Sequence, residues 1–294
     1  MAYTDREGRQ RRLIDHPFVS MIVAILLFAA ASAMAIVASS SLPALPNGLK
    51  QAVQVIITVA FGLAAYKLAI RHLGAEPRDD LPLRQALPLT ALGLLAGLLL
   101  FSAVVGVAAL LGSYRIVSCC STTNLLPELF VASIMPGFME ELFFRGILFR
   151  WIEEMGGSWI ALIVTSILFG LAHAMNPNAR VFSSVAIALE AGVLLGGAYM
   201  LTRSLWLPMG LHAAWNFTQG FLFGVPVSGV TEKGLVGAKL TGPELVTGGP
   251  FGLEASLIAL ILATSAGAAM VFLATRKGRV VLPPWTARRQ LIAD

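Results

Sequence analysis

The sequence predicts an all-α fold, a polytopic membrane helical bundle of about eight transmembrane helices, and three observations predict it. Hydrophobic residues make up 57% of the 294 residues and charged residues only 13%, where a soluble domain carries about a quarter. The mean hydropathy is +0.79. The apolar residues also fall in long runs rather than in one stripe: no Asp, Glu, Lys or Arg occurs from Phe18 to Gly48, nor from Gln85 to Tyr114. At 1.5 Å per residue, each run crosses ~30 Å of hydrocarbon.

The spans read as 18–39, 52–70, 88–111, 126–149, 158–175, 182–201, 205–224 and 253–275. A basic segment, 1–17, precedes one bundle, 18–275, and a basic tail, 276–294, follows it. The first span has a basic flank and an A-x-A-like end, as a signal peptide has. Its apolar run continues past Ala35, so it is expected to be a retained helix. Nothing in the first three spans or in the last names a substrate. Cys119 and Cys120 are adjacent in a short loop and cannot build a disulfide framework.

The fourth span holds "MPGFMEELFFRG", from Met135 to Gly146. Pro136 removes a backbone donor and crowds the carbonyl of Ala132, so a kink is expected just before the glutamates. Glu141 and Arg145 are four apart and face one another on a helix. Glu140 points about 100° away from Glu141, which leaves one paired carboxylate and one free for chemistry. The fifth span ends with Phe169 and His173, again four apart. Gly156-Gly157 is the natural turn between these spans. Equal residue counts to either side put Glu140 and His173 level in an antiparallel hairpin, about 24 Å from the turn.

In the sixth span Glu190 sits mid-membrane near Gly192 and Gly196, which read as a helix-packing surface; a packing role is favoured for Glu190 over membership of the site. The seventh span places His212 and Asn216 on one face, two side chains that can donate hydrogen bonds to an oxyanion. His212 lies ~12 Å into its span, against ~24 Å for the Glu140 level. Either the hairpin projects beyond the membrane at Glu153-Glu154 or the span edges differ. The connection from Pro226 to Gly252 is Gly-rich and long, and is expected to be mobile.

Charge gives orientation. One side would hold Arg6, Arg9, Arg11, Arg12, Arg71, Arg78, Arg84, Arg203, Arg276, Lys277, Arg279, Arg288 and Arg289; the other holds Lys50, Arg115, Arg180, Lys233 and Lys239. Both termini are therefore expected in the cytoplasm. The net charge of +5 is a topology signal with a contact to the lipid bilayer; the basic residues flank helices and form no groove for nucleic acid.

The motifs "EELFFRG" (Glu140 to Gly146), "FGLAH" (Phe169 to His173) and "HAAWN" (His212 to Asn216) resemble, in order, the EExxxR, FxxxH and HxxxN motifs of the CPBP family of intramembrane proteases, the CAAX prenyl endopeptidase and bacteriocin-processing group. The resemblance covers about 125–220. It implies that Glu140, assisted by His173, activates water, that His212 and Asn216 stabilise the oxyanion, and that Glu141 and Arg145 hold the site together, with Phe169 supporting. Burial is expected to make the Glu140 carboxylate a usable base near neutral pH.

Two His and two Glu can in principle bind zinc, but no H-E-x-x-H pair is present and a His–Asn oxyanion hole needs no ion. No obligatory cofactor or metal is expected, zinc not being excluded. The expected substrate is a membrane-associated peptide or protein, and a membrane-tethered C-terminal peptide if the cavity opens on the basic side. The expected setting is a bacterial or archaeal cell membrane. The alternative is a non-enzymatic transporter, or an immunity or scaffold protein, since buried Glu, His and Arg also suit a proton relay.

Overall fold

Tertiary contact is what turns eight apolar runs into a structure, and the contacts fold the chain back on itself more tightly than the run lengths alone require. The computed structural model describes residues 2–4, 10–74, 78–121, 125–231 and 233–286. Arg6, Arg9, Arg288 and Arg289 lie outside the described residues. The long helices are α1 (Pro17–Ser40), α2 (Asn47–His72), α3 (Leu83–Leu110), α4 (Leu125–His173), α5 (Val181–Thr202), α6 (Trp206–Phe217) and α7 (Leu257–Arg276).

Among the described residues, 6 helices are long and apolar enough to cross a membrane. The difference from eight has two physical causes. The fourth and fifth spans follow one another directly, Leu125–His173, with only the non-helical Gly157 between them, and α6 has 12 residues, extended by the π-helical turn Thr218–Leu222.

Within α4 the chain nevertheless reverses at Gly157, whose φ of 82° lies in the left-handed region that an L side chain avoids. Phe144 and Phe169 lie almost equally far from Gly157 in sequence and meet edge to face, their ring centroids 4.9 Å apart. The two arms are thus antiparallel, as the equal counts about Gly156-Gly157 predict. The first arm is not a uniform α-helix: π-helical stretches, Glu128–Ile134 and Leu142–Phe149, bracket the α-helical Met135–Glu141.

The tip of this hairpin packs against the turn between α5 and α6. Glu153, one turn before Gly157, is the residue that meets Arg203 (2.7 Å) and Arg78 (3.3 Å). The tip is held further by Ser158, whose backbone N–H donates to the Val281 carbonyl (2.9 Å). Buried Asp80 pairs with Arg78 (3.0 Å) and Arg150 (3.3 Å) next to it.

Close helix approach organises the rest. A Cβ built on Gly97 would stand 2.4 Å from the Leu211 carbonyl oxygen, and one on Gly93 2.4 Å from that of Leu207, so α3 rests directly on the α6 backbone. Gly192 and Gly196 play the packing part the sequence assigns them, facing Ser166 and Leu162 of the second arm. Gly97→Val is expected to cost about 1–3 kcal/mol by overpacking, read as a lowered thermal unfolding midpoint in detergent; an unchanged midpoint would show that α3 is free to shift.

The long connection after α6 is packed rather than loose. Its strand Gly237–Leu240 pairs antiparallel with Tyr114–Ser118, the Tyr114 hydroxyl donates to the Phe223 carbonyl (3.0 Å), and Val225, Val227, Phe251 and Leu253 are buried. The glycines allow the chain to turn tightly enough to cap the bundle, which overturns the expectation of a mobile loop.

Candidate active site

The glutamates sit where α4 is α-helical between its two wide segments, so neighbouring side chains diverge as helical geometry requires. Glu141 points into the bundle. Its Oε1 accepts from the Arg145 guanidinium (2.9 Å) and lies 3.0 Å from Nδ1 of His212. Arg145 is fully buried; it also donates to the carbonyls of Ala191 (3.2 Å) and Gly192 (3.4 Å) and lies 4.7 Å from the centre of the Phe169 ring. One ion pair therefore ties α4 to α5 and α6.

Glu140 points elsewhere, as the 100° step predicts. It lines a cavity of about 390 Å³ together with His173, His212 and Asn216, so the four residues read from three separate spans are brought to one space. Its Oε2 is buried and has no hydrogen-bond partner among the described residues. Glu141 is engaged through Oε1 by Arg145 and His212, although its Oε2, like Oε2 of Glu140, is buried with no hydrogen-bond partner among the described residues.

Hydrogen bonds fix the rings. His173 Nδ1 lies 2.8 Å from the Phe169 carbonyl oxygen. A carbonyl only accepts, so the proton assigned by this contact is on Nδ1, and a neutral His173 keeps its lone pair on Nε2. Phe169 stacks at a tilt on His173, with centroids 4.6 Å apart, and stands edge-on to His212 at 6.1 Å. It is the apolar wedge between the two imidazoles.

Asn216 shows how the sequence pays a local debt. Pro136 has no N–H to offer the carbonyl four residues back, and that carbonyl, Ala132, accepts from the Asn216 Nδ2 (3.0 Å) instead. A carboxamide nitrogen has two protons, so this bond occupies one and leaves the other.

Behind the histidines lies a second space of about 30 Å³, room for roughly one water, lined by His173, His212, Asn216, Glu190, Ser228 and Glu254. Glu190 faces this chamber, buried and with its Oε2 unpartnered among the described residues, beside the glycines that pack α5 on the second arm. Ser228 and Glu254 come from the capping connection, and the Ser228 backbone N–H donates to Glu254 Oε1. No sequence spacing marked them, because their approach depends on how the cap folds.

Glu254 precedes α7 and is buried; desolvation pushes its carboxyl from an ordinary 4.5 up to about 7, against the opposing pull of the bonds from Ser228. The folded state then holds a proton that the unfolded state releases. Its stabilising effect is complete below about pH 4.5 and is lost as pH rises toward 7. The thermal midpoint is expected to fall across that window and to flatten in Glu254→Gln; an equal slope in both proteins would assign the dependence to another group.

Among the described residues no group of three or more His, Cys, Asp and Glu comes together to hold a metal ion. The Nδ1 atoms of both histidines are engaged by protein oxygens.

With the helical core and its polar lining in view, residues 122–218 match the family model described as Type II CAAX prenyl endopeptidase Rce1-like. Over that third of the chain the protein is similar to the family whose motifs its sequence resembles. Over 121 residues, 41% of the chain, it is 26% identical to a Bacillus subtilis (strain 168) protein named "Putative membrane peptidase YdiL", of which the match spans 45%. No solved structure matches the chain. The matched segment contains all three motifs, from Glu140 to Asn216, while α1, α2, α3 and α7 lie outside it.

Proposed function

We propose that this protein is an intramembrane endopeptidase that hydrolyses a peptide bond of a membrane-associated peptide or protein. One observation carries the reading: Glu140, with an unpartnered buried oxygen, shares a cavity with His173, His212 and Asn216. The family match and the name of the Bacillus relative support the same reaction class.

The chemistry follows from the protonation each contact enforces. The Glu140 carboxylate takes a proton from water, which His173 orients through its Nε2 lone pair, and the water oxygen attacks the peptide carbonyl carbon. The carbonyl oxygen becomes an oxyanion. Asn216 offers its remaining N–H, and His212 offers Nε2–H when the ring is cationic, a state that Glu141 favours from the far side of the ring. Collapse of the intermediate breaks the C–N bond, and the leaving amine takes the proton from Glu140. Atoms and charge balance without a metal in any step.

The test is cleavage of a membrane-anchored peptide library by the purified protein in detergent or liposomes, in ¹⁸O-labelled water and with or without a strong chelator. The new carboxyl terminus should carry the label, and chelation should leave the rate unchanged. Absence of any cleavage moves weight to a transporter or scaffold; cleavage that chelation abolishes would overturn the metal-free mechanism. Asn216→Ala should lower kcat by about 10²-fold, the scale of one oxyanion donor, with KM little changed. An unaltered kcat would remove Asn216 from the catalytic machinery and leave it as the partner of Ala132.

A further inference from the structure

The helix directions sort the connections into two ends. Pro17, the segment 78–82, the Gly157 tip, the turn at Arg203 and the tail after Arg276 gather at one end, where Arg203 meets Glu153 and donates to the Arg279 carbonyl. The connections 41–46, 111–124, 174–180 and 223–256 gather at the other, where Asn178 donates to the Gly229 carbonyl (2.9 Å) and Arg180 pairs with Glu244.

The cavity belongs to the second end. It is lined near that end by Gln51 near the start of α2, Asn176 just after α4, and Val227, Ser228 and Val230 of the cap, of which Val230 is exposed. From there it follows one face of the first arm, along Pro127, Val131 and Pro136, down to Glu140. His173 is the last residue of α4 and Asn216 the penultimate residue of α6, so both stand close to this end.

The basic residues crowd the opposite end: Arg71, Arg78, Arg84, Arg203, Arg276 and Arg279 all flank helix termini there. The cavity end carries Lys50, Arg115, Arg180, Lys233 and Lys239, and ion pairs occur at both ends, Arg180 with Glu244 here and Arg78 and Arg203 with Glu153 at the other. Helical membrane proteins keep their Arg- and Lys-rich flanks in the cytoplasm.

We propose that the cavity opens to the non-cytoplasmic side, so that the substrate is a membrane-anchored chain whose scissile bond lies on that side. The second clause rests on the endopeptidase reading; the first does not. A lipid-modified cytoplasmic tail would have no route to Glu140 except across the bundle.

The chain supplies its own reporters, because its 2 cysteines, Cys119 and Cys120, are exposed and lie at the cavity end. A membrane-impermeant maleimide applied to intact bacterial cells expressing the protein should modify them before lysis. In a variant with both cysteines replaced by Ser, Val230→Cys at the cavity end should behave likewise, and Lys277→Cys should react only after permeabilisation. The reverse pattern, or equal labelling of both positions in intact cells, would overturn the opening. Two single-span reporters carrying one cleavable segment, placed outside or inside, complete the experiment. Cutting of the outer reporter alone supports the full proposal. Outward labelling with neither reporter cut overturns the substrate clause through the endopeptidase reading and leaves the opening standing, whereas cutting of the inner reporter alone overturns the substrate clause while the endopeptidase reading survives.

Discussion

Glu140→Gln is expected to lower the rate of peptide hydrolysis by about 10³-fold, within the 10²–10⁴ range of general-base catalysis, while the protein remains folded in the membrane. The replacement keeps the shape of the side chain and removes only its basicity. Because Oε2 of Glu140 has no hydrogen-bond partner among the described residues, no structural contact of that oxygen is lost. The loss should fall on kcat, with KM nearly unchanged, and the thermal midpoint should stay close to that of the wild type. Single-turnover cleavage of a peptide found in the library measures the chemical step directly. A Glu140→Gln protein that cleaves at the wild-type rate would end the assignment of the base.

Arg145→Met is expected to act on stability first. It removes a guanidinium buried among Glu141, the carbonyls of Ala191 and Gly192, and the Phe169 ring. Glu141 would then remain buried with His212 alone, and breaking a buried pair from one side costs about 3–5 kcal/mol. A drop of the thermal midpoint on the order of 10 °C corresponds to that loss in a chain of this size. Adding Glu141→Gln should recover part of it, since the uncompensated charge goes with the carboxylate. A single variant within about 1 kcal/mol of the wild type, below the buried-pair cost, would show that the pair contributes little.

The parts of this protein that were legible in its sequence are those set by local arithmetic. Composition and run length determine the membrane bundle, and equal spacing about Gly156-Gly157 determines a hairpin that brings Phe144 against Phe169. The four-residue step from Glu141 to Arg145 gives an ion pair that the structure contains at 2.9 Å. Contacts set by tertiary approach were not legible. The bond between His212 and Glu141 joins residues 71 apart; Ser228 and Glu254 enter only because the cap folds inward. One signal was present and unused: a proline that leaves the Ala132 carbonyl without its helical donor calls for an outside donor, and Asn216 is that donor.

The two wide segments of the first arm have a consequence for how this site can be retuned. A π-turn is an α-turn carrying one residue too many, so the direction a side chain faces downstream depends on a count. Deleting a single residue between Glu128 and Ile134 would restore ordinary winding and rotate Pro127 relative to Glu140 by about 100°. The upper wall of the passage would swing aside, while Glu141, Arg145 and His212 kept their bonds. Indels in this short stretch are thus a way to reshape what the cavity admits without altering Glu140, His173, His212 or Asn216.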